Sequence, residues 1–541
     1  MKRLLLVISC VLPLSAAFAR QAGKLERPKL VIGIVVDQMR WDYLYRYYDR
    51  FGDGGFKRMI NEGFNCQNTF INYLPSFTAP GHACIYTGSV PSIHGIAAND
   101  WVADEEGTNC YCTSDKGRKM IGIGQRMTGE MSAKNLQVTT ITDELRLATN
   151  MHSRVFGIAL KDRAIILPAG HLANGAYWFD DSTGNFVSSD AYGDALPHWL
   201  VRFNSKRLTD TLMKSKWNLL YPENTYTQSL ADDNPYEGVS LVEPKPIFPH
   251  VAIGNGYYGL RSTPAGNTLT LMAAKACISG AHLGQSSATD FLCISFSSTD
   301  YIGHKYGPSA MEVEDMYLRL DQALGELFDY LDEYVGKGNY VTFLTADHGG
   351  AHNAKYLEDI NIPAGNNDEV KTIIELNAAL KSKFGKDSLV LALTNYQVYL
   401  DERRIRKYNL SRNEIKSAVI NFMLAQPEVA YAVDMENMGN ATVPEPIRTM
   451  IINGYNKQRS GCIEIILKPG WYSGYAPTGT THGSWNPYDT HIPLLWYGWD
   501  IPRGQTTRTV HMTDISATLA ALLHIQMPNG CIGEPITEIT H

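Results

Sequence analysis

The chain predicts an α/β fold: a doubly wound, mostly parallel central sheet with helices on both faces and insertions over the active-site end. Three stretches predict it. "KLVIGIVVD" (29–37), "DFLCISFSSTD" (290–300) and "YVTFLTADHGG" (340–350) are continuous apolar, β-branched runs, as expected of strands buried on both faces. Each has a carboxylate at or near its end: Asp37, Asp300 and Asp347. Between the last two, Val313, Met316, Leu320, Leu324, Leu327, Leu331 and Val335 recur at helical spacing, with Ser309 and Glu312 read as a capping-box start. Strand, helix and strand in succession form a βαβ unit with parallel pairing.

The 541 residues are 44% hydrophobic and 19% charged, enough apolar material for a large core. The opening "MKRLLLVISCVLPLSAAFARQAG" has Lys2 and Arg3, an apolar run, then Ala17-Phe18-Ala19, the layout of a cleavable secretory signal over residues 1–19. Residues 20–541 would then be exported, periplasmic or secreted, and are read as one domain with insertions at about 165–265 and 353–480. No later segment approaches the length of a membrane span. Loss of Lys2 and Arg3 moves the formal charge from −7 to −9, which argues against a nucleic-acid partner. The eight remaining cysteines permit disulfides in an exported protein, or quiet burial. Cys110-Tyr111-Cys112 does not have the spacing of a zinc knuckle.

Along the chain, "LPSFTAPGHACIYTG" (74–88) reads as a turn entering a helix, and Thr78 admits two readings there. It is a helix N-cap, or its exposed hydroxyl is a nucleophile held where the helix dipole favours negative charge. "GIAAND" offers Asn99, by itself a turn residue. "RVFGIALKDRAIILPAGH" (154–171) reads as a strand ending in Lys161 and Arg163, whose two-residue interval points them to one side. "GCIEIILKPGW" and "HIPLLWYGW" read as further strands, and "TDISATLAALLHI" as a helix.

Each candidate has a bland reading when taken singly, since Asp after a strand is commonly a cap or turn residue. Jointly, Asp37, Thr78, Asp300, His304, Asp347, His348 and His482 supply three carboxylates, three imidazoles and a hydroxyl. That oxygen and nitrogen set suits zinc. In α/β sheets such residues gather beyond the carboxyl ends of the strands.

These motifs resemble the alkaline phosphatase superfamily of two-zinc phosphoryl and sulfuryl transferases, from "GIVVDQMRWDYL" through "HIPLLWYG". The resemblance implies an alkaline phosphatase-like fold and two Zn2+ ions. Asp37, Thr78, Asp347 and His348 would hold one, and Asp300, His304 and His482 the other. It also implies attack by Thr78 and a phosphothreonine intermediate, with His94 and His491 structural. "LKDRAIILPAGHLANGAYWFD" is similar to the PafA-type bacterial phosphate monoesterases, in which an asparagine, a lysine and an arginine contact the transferred phosphoryl group. By that likeness Asn99, Lys161 and Arg163 take those roles, and the partners are small-molecule phosphate monoesters. Nucleotide pyrophosphatase/phosphodiesterases share the core and are the alternative. Sulfatases fit less well, because "TAPGH" lacks their Cys or Ser nucleophile and following arginine. A catalytically dead binding protein would be expected to have lost a ligand, and none of the seven is missing.

Overall fold

The computed structural model describes residues 26–240, 242–252, 256–474 and 477–540. The signal sequence read at residues 1–19, with Cys10, lies outside them. Ten strands form the main sheet: β1 (Leu30–Val36), β2 (Phe64–Cys66), β3 (Met120–Ile121), β4 (Val155–Ala159), β5 (Gly175–Asp180), β6 (Asn185–Ser189), β7 (Asp290–Phe296), β8 (Tyr340–Thr345), β9 (Leu494–Gly498) and β10 (Gly504–Thr506). Their order is β10-β2-β9-β8-β1-β7-β4-β5-β6-β3.

The middle of this sheet, β8-β1-β7-β4-β5, is parallel throughout. Every residue of β1, β7 and β8 is buried, which is why these strands are apolar without alternation. Towards the edges, β9 runs antiparallel to β8 and β2, and β6 antiparallel to β5 and β3. The sheet is therefore mixed at its margins, where strands of two or three residues carry no readable periodicity.

Helix α1 (Thr78–Thr87) packs on α2 (Arg163–Ala169) and on Asp514–Leu523. A side chain on Gly33 in β1 would collide with the Tyr86 hydroxyl and the Phe343 ring, so glycine there lets α1 settle onto the sheet. Helix α3 (Ser298–Tyr306) follows β7, and α4 (Met311–Leu331) runs on to β8. The α4 start differs from the capping-box expectation. The N-cap falls on Ala310 rather than Ser309, and alanine has no side-chain group to bond; the Glu312 carboxylate pairs instead with His250 Nε2 at 2.8 Å.

A second sheet, Val390–Thr394, Gln397–Leu400, Ile463–Leu467 and Val429–Asp434 in that order, is antiparallel. With helices Glu369–Phe384 and Arg412–Leu424 it encloses its own core around Leu376, Val398, Ile415, Val419 and Ile463. The strand read at "GCIEIILKPGW" belongs to this sheet. The eight cysteines among the described residues are free thiols, six of them buried and Cys110 and Cys531 half-buried. Among the described residues no helix is long and apolar enough to cross a membrane.

Candidate active site

Four neighbouring parallel strands deliver their chemistry at one end. Asp37 directly follows β1, and Asp347 lies two residues beyond β8. Asp300 sits in the first turn of α3, one helical turn before His304. Strand β4 stops at Ala159, so Lys161 lies in a turn and Arg163 opens α2. Strand alternation thus has no part in aligning these two, contrary to the sequence expectation.

The Lys161 ammonium donates to Asp37 Oδ2 at 2.7 Å and Asp300 Oδ2 at 2.6 Å. Burial pushes the Asp37 carboxyl well above its usual range, and Asp300 and Asp347 add to the push. Burial acts likewise on Asp300, but Lys161 and His304 override it and hold that carboxyl well below. Three buried carboxylates facing one ammonium leave a negative surplus that favours cations.

Each of the three histidines is tethered through Nδ1 to a main-chain oxygen: His304 to Thr480 at 2.8 Å, His348 to Gly349 at 2.9 Å and His482 to Ser76 at 2.9 Å. Donation by Nδ1–H fixes the tautomer and leaves each Nε2 lone pair free to bind a metal. His304 Nε2 lies 3.2 Å and His482 Nε2 3.8 Å from Asp300 Oδ1. His348 Nε2 lies 3.6 Å from Asp37 Oδ1, 3.5 Å from Asp347 Oδ2 and 3.4 Å from the Thr78 hydroxyl.

Two ligand groups result, Asp300 with His304 and His482, and Asp37 with Asp300 and His348, each with its donor atoms within 4.8 Å of one another. Asp300 is common to both, and Asp347 stands beside the second. The buried oxygens Asp37 Oδ1 and Asp347 Oδ2 have no hydrogen-bond partner in the protein. Unpartnered anionic oxygens facing free imidazole nitrogens fit a divalent cation.

Thr78 is 1% exposed, and Phe77 takes the N-cap position without a side-chain bond. The capping reading and the exposed hydroxyl therefore both give way: Thr78 is the first helical residue, its hydroxyl turned towards His348. Asn99 Oδ1 accepts the Ala79 N–H at 2.9 Å, next to it. A Cβ on Gly81 would stand 2.5 Å from the Asp347 carbonyl oxygen, so glycine permits α1 to press against the end of β8. Lys161 and Arg163 line a cleft of about 640 Å³ walled also by Tyr111, Trp178, Arg261 and Tyr301.

Two residues escaped the sequence reading. Gln38, in the left-handed region at φ 62°, donates its backbone N–H to Asp347 Oδ1 and its amide to Asp300 Oδ1. His82, one turn after Thr78, lies 3.2 Å from Asp347 Oδ2 and 2.9 Å from the Thr78 carbonyl. The i, i+4 spacing in "TAPGH" was the available signal. His491 stacks between Trp41 and Phe70, and His94 Nδ1 accepts the Ile96 N–H. Both rings are packed away from the two ligand groups.

Alkaline phosphatase PafA of Elizabethkingia meningoseptica is 48% identical over 96% of both chains. Its solved structure superposes with a TM-score of 0.93, covering 96% of this chain and 100% of that one. Another solved form of that enzyme is substituted at a threonine, an asparagine, a lysine and an arginine, spaced as Thr78, Asn99, Lys161 and Arg163 are here. A Myroides odoratus protein named calcium-transporting ATPase is 50% identical over 95% of both chains. Alkaline phosphatase PhoV of Synechococcus elongatus is 49% identical over 95% of this chain and 93% of its own. Residues 31–491 match the family described as Type I phosphodiesterase / nucleotide pyrophosphatase. With its parallel core, clustered carboxylates and near-full-length relatives, this chain belongs to that family, within the alkaline phosphatase superfamily.

Proposed function

We propose that this protein is an alkaline phosphatase: a zinc-dependent phosphate monoester hydrolase that works through a phosphothreonine at Thr78. The observation that carries the reading is the pair of ligand groups sharing Asp300, set against the Thr78 hydroxyl. Asp37, Asp347 and His348, with Thr78, would hold one Zn2+, and Asp300, His304 and His482 the other. Bound zinc supplies Lewis-acid charge to the attacking and departing oxygens of an in-line displacement.

The chain's own residues do the rest. Thr78 Oγ1 bonds to phosphorus as the ester P–O bond breaks, and the leaving oxygen departs as an alcohol after gaining a proton. Water then attacks phosphorus, the Thr78 Oγ1–P bond breaks, and phosphate leaves with the hydroxyl restored. The position of Thr78 at the start of α1 places the developing charge at the positive end of the helix. Arg163 offers a cationic donor to the phosphoryl oxygens, Asn99 a neutral one, and Lys161 a second cationic donor once bound metal takes over its partners Asp37 and Asp300. The substituted positions of the PafA variant support these four assignments.

Residues 20–541 are read as one catalytic unit, with 165–265 and 353–480 inserted around the cleft. Residues 1–19 direct export to the periplasm or beyond. The test is a panel of kcat/KM values for a monoester, a diester and a sulfate ester on zinc-loaded protein. Preference for the monoester supports the proposal. A diester preference would move the protein to the phosphodiesterase reading that the family match leaves beside it.

A further inference from the structure

Arg163 lines the cleft while hydrogen-bonded to a neighbour. Its Nη1 donates to the Tyr111 hydroxyl at 3.1 Å, and that hydroxyl donates to Asp162 Oδ1 at 2.6 Å. The same Asp162 oxygen accepts the Arg163 backbone N–H at 2.5 Å. A closed ring of bonds therefore ties the guanidinium to the first turn of α2. The Arg163 Nε is buried with no protein partner, and its side chain lines the cleft.

Tyr111 is placed by a two-stranded ribbon, Asp100–Val102 against Asn109–Tyr111, in which Asp100 pairs with Tyr111. The ribbon begins immediately after Asn99, and the Asn99 carbonyl accepts the Cys112 N–H at 2.9 Å. It is fastened to the second sheet by the Asn395 amide, which donates to the Asp100 carbonyl at 2.8 Å. Its base thus carries Asn99 and its far strand carries the acceptor for Arg163. The spacing between the two phosphoryl donors is set by one hairpin.

We infer that Tyr111 is a positioning residue for phosphate monoesters: its hydroxyl orients Arg163 towards the phosphoryl oxygens and keeps that guanidinium in register with Asn99. This inference rests on the phosphatase reading above. An arginine with free torsions would lose its alignment with the transferred group, and a neutral acceptor can hold it without cancelling its charge as a carboxylate would.

The test is a double-mutant cycle on zinc-loaded enzyme with Tyr111→Phe, Arg163→Ala and both together, each checked for an unchanged Tm. The phenylalanine keeps the ring and removes only the hydroxyl. Tyr111→Phe should lower monoester kcat/KM and weaken inhibition by inorganic phosphate about ten-fold, the size expected of a bond to a charged group. Diester kcat/KM should hold. In the Arg163→Ala background, Tyr111→Phe should cost nothing further. Losses that multiply, a wild-type-like single variant, or an equal fall on the diester would each overturn the positioning role. If Arg163→Ala alone leaves monoester turnover intact, the assignment of Arg163 fails, and with it the role of Tyr111.

Discussion

His348 and His482 lie face to face, their ring centroids 3.5 Å apart and their planes 14° from parallel. Two imidazoles so close cannot both carry charge. His482 is held well below its ordinary range, by burial first and then by His348 and His304; burial likewise lowers His348. Both present neutral nitrogens, as metal ligands must.

Metal removal is the direct consequence. Exhaustive chelation should abolish phosphatase activity, and zinc should restore it. Elemental analysis should find about two zinc ions per chain, the stoichiometry of a two-metal displacement. His482→Ala should lower that content and the apo-to-holo gain in Tm.

Thr78→Ala should cut monoester turnover on the order of a thousand-fold or more, the loss typical of a missing nucleophile. Thr78→Ser should retain much of it. Acid quenching with labelled substrate should leave phosphate on residue 78 of the wild type and none on the alanine variant.

Arg163→Ala should lower monoester kcat/KM on the order of a hundred-fold, as loss of a charged transition-state donor does, and change diester kcat/KM far less. Ratios measured on one zinc-loaded preparation cancel differences in active fraction. Comparable losses on both esters would place Arg163 outside the discrimination.

Away from the site, Glu464 lies 2% exposed in the second sheet, its carboxyl pushed by burial from 4.5 up to about 8. In that window the native state holds a proton the unfolded state has lost, so stability is full below the unfolded value. It falls as pH rises, levelling off above the folded value. Glu464→Gln should raise Tm at about pH 9, little affect it near pH 5, and flatten the pH–Tm curve between.

The parallel centre was readable because strands covered on both faces are apolar without alternation, as Leu30–Val36 and residues 291–294 are. Much of the ligand set was readable because Asp37 and Asp347 closely follow strands and His304 sits one helical turn from Asp300, whereas His482 lies in irregular chain with no such signal. What stayed hidden depends on contacts between distant segments. Asp300 serves both ligand groups only because β7 lies beside β1, and Gln38 joins Asp300 to Asp347 only in the folded chain. The expected capping box failed because the helix takes Ala310 rather than Ser309 as its N-cap, and Glu312 meets His250 from a loop no local pattern reveals.

The tethers on His304, His348 and His482 are all peptide oxygens, from Thr480, Gly349 and Ser76. Every residue type carries such an oxygen, so no point substitution at those three anchors erases it. The aim of the imidazoles is thereby shielded from sequence drift around them, and only a displacement of the chain itself can spoil it.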